Sequence, residues 1–166
     1  MTRLFESFVE SKESLPPEFD KQGMMLALQI AESAVIKGDH AIGAVIAWPN
    51  KHLKEHDTTQ TSDNPLNEAG LNVINKALSV MPHKIKSGVL YSTLEPDALT
   101  VLTAYKSGIQ EVVFGAYDHK DGFVSSVRKL NLEYYDIAYK GGVLSEECYK
   151  LLPKSVQGHS SVTGNL

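Results

Sequence analysis

The chain has 166 residues, a hydrophobic share of 42%, a charged share of 22% and a formal net charge of −4 at pH 7. That length suits one domain whose core needs neither disulfides nor a structural metal. The mildly acidic balance lacks the electrostatic footprint of a strong nucleic-acid binder.

A single cysteine, Cys148, excludes an internal disulfide framework and any multi-cysteine zinc site. No apolar run is long enough to span a bilayer, and the start of the chain, with Glu6, Glu10, Lys12 and Glu13, has no apolar secretory core. Membrane is therefore excluded and a cytoplasmic location is expected.

Residues 1–17 are polar and end in Pro16-Pro17, which breaks a helix, so they are set apart as a leader before a domain over 18–153. From Phe19 to Ile36 the residues Met24, Met25, Leu28, Ile30, Ala31 and Val35 recur at helical spacing, and Gly38 supplies a stop. Ala41 to Trp48 is small, apolar and nearly continuous, the pattern of a central strand buried on both faces. After a turn at Pro49-Asn50, Lys51 to Thr58 is expected to form a shorter partner strand, followed by a polar loop from Thr59 to Pro65.

Asn67 is placed as the cap of a second helix that reaches Met81, with Glu68 in its first turn and Pro82 ending it. Gly88 to Leu94 reads as a strand, and Pro96 opens a third helix that runs to Gly108. Ile109 to Ala116 is another buried strand, Ser125 to Leu130 a short helical piece and Tyr134 to Tyr139 a terminal strand. Ser145 caps a last helix from Glu146 to Leu152, and the tail 154–166 is expected to be disordered. This alternation implies a three-layer α/β/α domain around a mixed sheet of about five strands.

Five segments, in order, carry a resemblance: Ala41-Ile42-Gly43-Ala44-Val45-Ile46; Asn64-Pro65 before the second helix; Leu90 to Pro96, ending in Thr-Leu-Glu-Pro; Val112 to Ala116; and Gly141 to Cys148. Together they resemble the cytidine/deoxycytidylate deaminase superfamily, most of all its tRNA-adenosine and guanine deaminase branch. The resemblance runs from about Met24 to Leu152 and implies the cytidine-deaminase-like fold.

It also implies a zinc ion on one histidine and two cysteines, an open position for a water nucleophile, and a glutamate that shuttles protons. Setting Asn64-Pro65 against the family's Asp-Pro puts Glu68 in place of the histidine and Gly70 in place of the glutamate. Asp97 and Thr100 stand in place of the cysteines. A register slipped by two residues makes Glu68 the shuttle and Leu66 the ligand, which also loses the histidine. Asp57, after His56, falls where the family often has a substrate-contacting asparagine, and a carboxylate at pH 7 can only accept.

Glu68 and Asp97 both fall near helix N-termini facing the former metal site, where partial positive charge favours anions. With Thr100 they make an all-oxygen set that suits magnesium, manganese or calcium better than zinc. The simpler reading is that each carboxylate caps its helix. Of the histidines only His56 is placed near the pocket, as a structural residue before a catalytic one, and Glu95 is taken to support the turn. Tyr91, Trp48, Phe114 and Tyr117 are read as core before a stacking wall for a base, and Cys148 as a semi-buried residue rather than a reactive thiol.

The expectation is a catalytically inactive nucleoside or nucleobase deaminase-like protein, a pseudoenzyme without zinc or other cofactor. Asp57, Glu68 and Asp97 are its ligand-binding candidates, at a degenerate site of Glu68, Gly70, Asp97 and Thr100. The resemblance implies a homodimer or a heteromer with another subunit and a small nucleobase or nucleoside ligand, while the charge balance disfavours nucleic acid. Two alternatives stay open: an enzyme of altered chemistry using Glu68 and Asp97 around a hard cation or as an acid/base pair, and a zinc-dependent deaminase of a nucleoside, base or tRNA adenosine with unrecognised ligands.

Overall fold

The computed structural model describes residues 17–83, 85–109, 111–123 and 137–153. Five strands, β1 (Gly43–Trp48), β2 (Lys51–His56), β3 (Val89–Leu94), β4 (Glu111–Ala116) and β5 (Ala138–Lys140), form one mixed sheet in the spatial order β2-β1-β3-β4-β5. β1 pairs antiparallel with β2 and β3, whereas β3, β4 and β5 run parallel. The helices are α1 (Pro17–Lys37), α2 (Ala69–Val80), α3 (Ala98–Lys106) and α4 (Ser145–Leu151).

Alternation along the strands divides the core into two layers. Ala44, Ile46, Leu90 and Val112 point to one face and pack against Val73, Ile74 and Ala77 of α2 and Ala104 of α3. Val45, Tyr91 and Val113 point to the other, against Met24 and Ala27 of α1 and Cys148 of α4. This is the α/β/α sandwich expected from the sequence. At the sheet end remote from the cavity described below, Tyr91 Oη donates to Asp20 Oδ1 at 3.3 Å and Lys140 Nζ pairs with Asp20, which ties β3 and β5 to α1.

Several boundaries differ from the sequence reading for identifiable reasons. α1 includes Pro17, since a first-turn proline lacks only an N–H that would be unbonded in any case. α2 begins at Ala69 with Glu68, not Asn67, at the N-cap position, and α3 begins two residues beyond Pro96, with Asp97 as its cap. Ser145 is the first residue of α4 rather than its cap; that position belongs to Leu144 in the left-handed conformation, φ 51°. Helix stops at Gly38 and Gly108 are as expected, each with φ 89°.

The expected leader over 1–16, the helical piece Ser125–Leu130, residues 134–136 of the terminal strand and the tail 154–166 lie outside the described residues. Among the described residues no helix is long and apolar enough to cross a membrane.

Candidate functional site

Strands β3 and β4 are parallel and end at Leu94 and Ala116, and a cavity of about 460 Å³ opens at that carboxyl edge. Crevices at this edge of parallel strands are where α/β sheets usually hold ligands. Its walls come from the start of α2, the β3–α3 turn, and the loops that follow α1, β2 and β4. All five residues singled out from the sequence, Asp57, Glu68, Gly70, Asp97 and Thr100, line it. So do His40, Asp118 and Asp121, which sequence reasoning missed; the signal for the last two was their place just beyond the end of a parallel strand.

Asp97 is fixed by its helix. Its backbone is extended and its Oδ1 accepts from the Thr100 N–H at 2.7 Å, a full side-chain cap. Glu68 occupies the same position on α2 but its side chain makes no cap hydrogen bond, so the two carboxylates are not equivalent. The α2 end is anchored instead by Asn72, whose Nδ2 lies within bonding distance of the Asn67 carbonyl at 3.0 Å, the His56 carbonyl at 3.0 Å and Thr58 Oγ1 at 3.1 Å.

Asp57 is buried, and its Oδ1 accepts from the Thr59 N–H at 2.9 Å and Thr59 Oγ1 at 2.6 Å. Asp39 holds the same loop from the α1 side, accepting from the Thr61 N–H and hydroxyl, each at 2.9 Å. Glu95 is buried too: its Oε2 accepts from the Asp118 N–H at 3.0 Å, binding the β3–α3 turn to the loop after β4.

His56 is buried behind the cavity rather than on its wall. Lys37 Nζ donates to His56 Nε2 at 3.0 Å, so Nδ1 carries the proton and donates to the Asp57 carbonyl at 2.6 Å. The histidine that does line the cavity is His40. None of Tyr91, Trp48, Phe114 and Tyr117 lines it; the first three are core residues. Cys148 is buried in the α1/α4 layer, where burial pushes its thiol up to about 12.

Electrostatics set Glu68 apart. Burial, then the charges of Asp97 and Asp57, push its carboxyl up to about 7; Thr100 counters weakly and Asp121 adds to the rise. Between pH 4.5 and about 7 the unfolded chain has released this proton while the folded chain keeps it, so stability falls as pH rises through that window and is level above it. A shift of this size corresponds to about 3 kcal/mol, and solvent screening of a half-buried side chain reduces it to about 1–2 kcal/mol. Glu68→Gln is therefore expected to raise stability by about 1–2 kcal/mol at pH 8 and by nothing at pH 4. Urea melts at the two pH values check this, and an equal gain at both would dismiss the charge explanation.

The donor set does not fit zinc. Thr100 and Gly70 offer no nitrogen or sulfur, the one cysteine lies in another layer, and among the described residues no three His, Cys, Asp or Glu side chains converge in a group able to hold a metal ion. Gly70 and Thr100 interlock instead. A Cβ at position 70 would lie 2.5 Å from Thr100 Cγ2, so the methyl group occupies the space that any side chain there would enter.

The chain is 30% identical over 138 residues to the tRNA-specific adenosine deaminase of Bacillus subtilis, covering 80% of this chain and 86% of that one. To the tRNA-specific adenosine deaminase of Haemophilus influenzae it is 28% identical over 141 residues, covering 81% and 82%. A solved structure from work on A-to-I editing by tRNA:A34 deaminases aligns with a TM-score of 0.71 at 26% identity, over 79% of this chain and 99% of the other. Guanine deaminase from Nitrosomonas europaea shares the fold at a TM-score of 0.64 and 14% identity, over 79% and 81% of the two chains. No family model matches the chain.

The chain belongs to the cytidine/deoxycytidylate deaminase superfamily, in its tRNA-adenosine deaminase-like branch. The expectation that nucleic acid is disfavoured finds no support here, because these relatives are tRNA deaminases.

Proposed function

We propose that this protein is a deaminase-family member that has given up zinc-dependent deamination and uses the remaining cavity to bind a ligand, alone or as a subunit beside another protein. The observation that carries the reading is the interlocked pair Gly70 and Thr100: where the family has a proton-shuttling glutamate and a metal-binding cysteine, this chain has a bare backbone pressed against a methyl group. Without a shuttle there is no group at that place to move a proton to or from a bound substrate. Asp57, Glu68 and Asp97 are the ligand-facing side chains in this reading. A partner role is supported by Leu66 and Leu99, large apolar side chains left exposed next to cavity-lining Pro65 and two residues from Asp97.

A second reading is favoured by the comparisons. Relatives about 30% identical over most of their length are tRNA-specific adenosine deaminases, so a working zinc-dependent tRNA deaminase with ligands of another kind is the alternative. One experiment separates the two: metal analysis of untagged protein never exposed to chelator, with ammonia release measured on tRNA, nucleosides and free bases. The expected result is far less than one zinc per chain and no ammonia above background. One zinc per chain with turnover on tRNA would establish the second reading.

A further inference from the structure

The cavity is walled by acid. Glu68 faces the charges of Asp97, Asp57 and Asp121, and Asp63, Glu95 and Asp118 contribute to the same walls. Among the described residues His40 is the only side chain there that can become cationic. One lone pair set is already committed at Asp97 and one at Asp57, each to groups of the fold itself.

A second observation is independent of the charges. Thr100 is 1% exposed and lines the cavity, yet among the described residues its Oγ1 has no partner in hydrogen-bonding geometry. The hydroxyl leans toward Glu68 as a weak hydrogen-bond donor that favours the ionised carboxylate, without reaching full bonding geometry. A buried polar atom without a partner is rare and costly in a folded protein, and at a cavity wall it is placed where a ligand group can complete the bonding.

Resting on the reading that the zinc chemistry is gone, we propose that the site takes a planar organic cation of the amidinium or guanidinium class, its N–H groups shared among Glu68, the open oxygen of Asp97 and the Thr100 hydroxyl. Carboxylates accept only, so the complement must be rich in donors, and a planar fork of N–H groups is the cation that bonds several such acceptors at once. A bare metal ion is the poorer complement. The acids stand on separate elements and, among the described residues, form no metal-holding group, and the volume of about 460 Å³ falls in the range of small-molecule sites. Ile42 and Leu94 give the apolar surface on which the rest of such a ligand would lie.

The test is calorimetric titration of the full chain with benzamidine, its neutral counterpart benzamide, and manganese, magnesium and calcium chlorides. The same preparation is assayed for zinc and ammonia release. Benzamidine is expected to bind saturably, at least tenfold tighter than benzamide, and to lose at least tenfold in Glu68→Gln. A several-fold loss is expected in Thr100→Val, which keeps the shape of the side chain and removes the hydroxyl.

Affinity should rise from pH 6 to pH 8 and do so no longer in Glu68→Gln; because His40 shares the wall, that loss assigns the dependence to Glu68. Agmatine and a blocked Gly-Arg-Gly peptide distinguish a free metabolite from a partner's arginine, and tighter binding of either supports the site. Equal binding of benzamide, no saturable binding of any cation, or a Glu68-dependent preference for manganese over benzamidine would each overturn the proposal. A zinc-loaded, ammonia-releasing protein would overturn the reading beneath it, whereas a zinc-free inert protein that ignores benzamidine would overturn this inference alone.

Discussion

Replacing Gly43 with alanine is expected to cost about 3 kcal/mol of stability, near the upper end of what overpacking a core does. A Cβ on Gly43 would sit 2.1 Å from the Ala27 carbonyl oxygen, 2.6 Å from Ile30 Cγ2 and 2.7 Å from the Ala31 nitrogen. Two of these are backbone atoms of α1, so no rotamer change relieves the contact; either the helix lifts from β1 or the strand shifts. β1 is central and carries residues of both core layers, so a displacement there loosens both.

For a chain of this size about 3 kcal/mol corresponds to a fall in Tm of about 6–12 °C. Gly38→Ala is the control: its φ of 89° strains an alanine but nothing lies within 4 Å, so only about 1 kcal/mol is expected. Thermal and urea melts of both variants measure the difference, and a Gly43→Ala cost no larger than that of Gly38→Ala would dismiss the helix contact.

The same close approach shows why the layers of this fold were legible in the sequence while its site was not. β1 reads as a two-sided strand because Gly43–Trp48 has no charged residue, and it pairs on both edges as that pattern requires. α1 and α2 follow from apolar spacing, and glycine stops at 38 and 108 are fixed by backbone chirality. Helix starts were harder. A sequence presents Asn67, Glu68, Pro96, Asp97 and Ser145 as competing caps, and the choice depends on where the preceding loop delivers the chain; Leu144 takes the cap position at α4 with no capping side chain at all.

The pairing of β5 with β4 depends on contacts far apart in sequence. At the site, motif spacing brought Glu68, Gly70, Asp97 and Thr100 to one cavity with Asp57. It could not distinguish the capping carboxylate from the one left free, because Asp97 and Glu68 hold the same formal position and differ only in side-chain length and the wall they face. His40 was missed for a related reason. Its place on the wall is set by the loop that Asp39 pins to Thr61, a contact across 22 positions of chain.

Rebuilding the family's constellation is expected to give a chain that holds one zinc, where the proposed reading expects the parent to hold far less than one. The four changes are Glu68→His, Gly70→Glu, Asp97→Cys and Thr100→Cys, and their order matters. Gly70→Glu alone forces a Cβ to 2.5 Å from Thr100 Cγ2 and is expected to cost about 1–3 kcal/mol. Thr100→Cys removes that methyl group when the sulfur takes the place of the hydroxyl, so the double variant should recover most of the loss, a coupling of about 1–2 kcal/mol in a double-mutant cycle.

Asp97→Cys forfeits the cap on α3, worth about 1 kcal/mol. The metal-free quadruple variant should therefore melt below the parent and rise when zinc is added, since zinc binds the folded site and not the unfolded chain. Elemental analysis and zinc-dependent melts decide the matter; additive costs in the cycle, or a quadruple variant that takes up no zinc, would mean that the cavity has diverged further than these four positions. Zinc uptake without ammonia release from tRNA would carry the argument to Asp57. Its carboxylate, held by Thr59, can only accept where an asparagine could also donate, and it would then be the fifth position at which the family's pattern has to be restored.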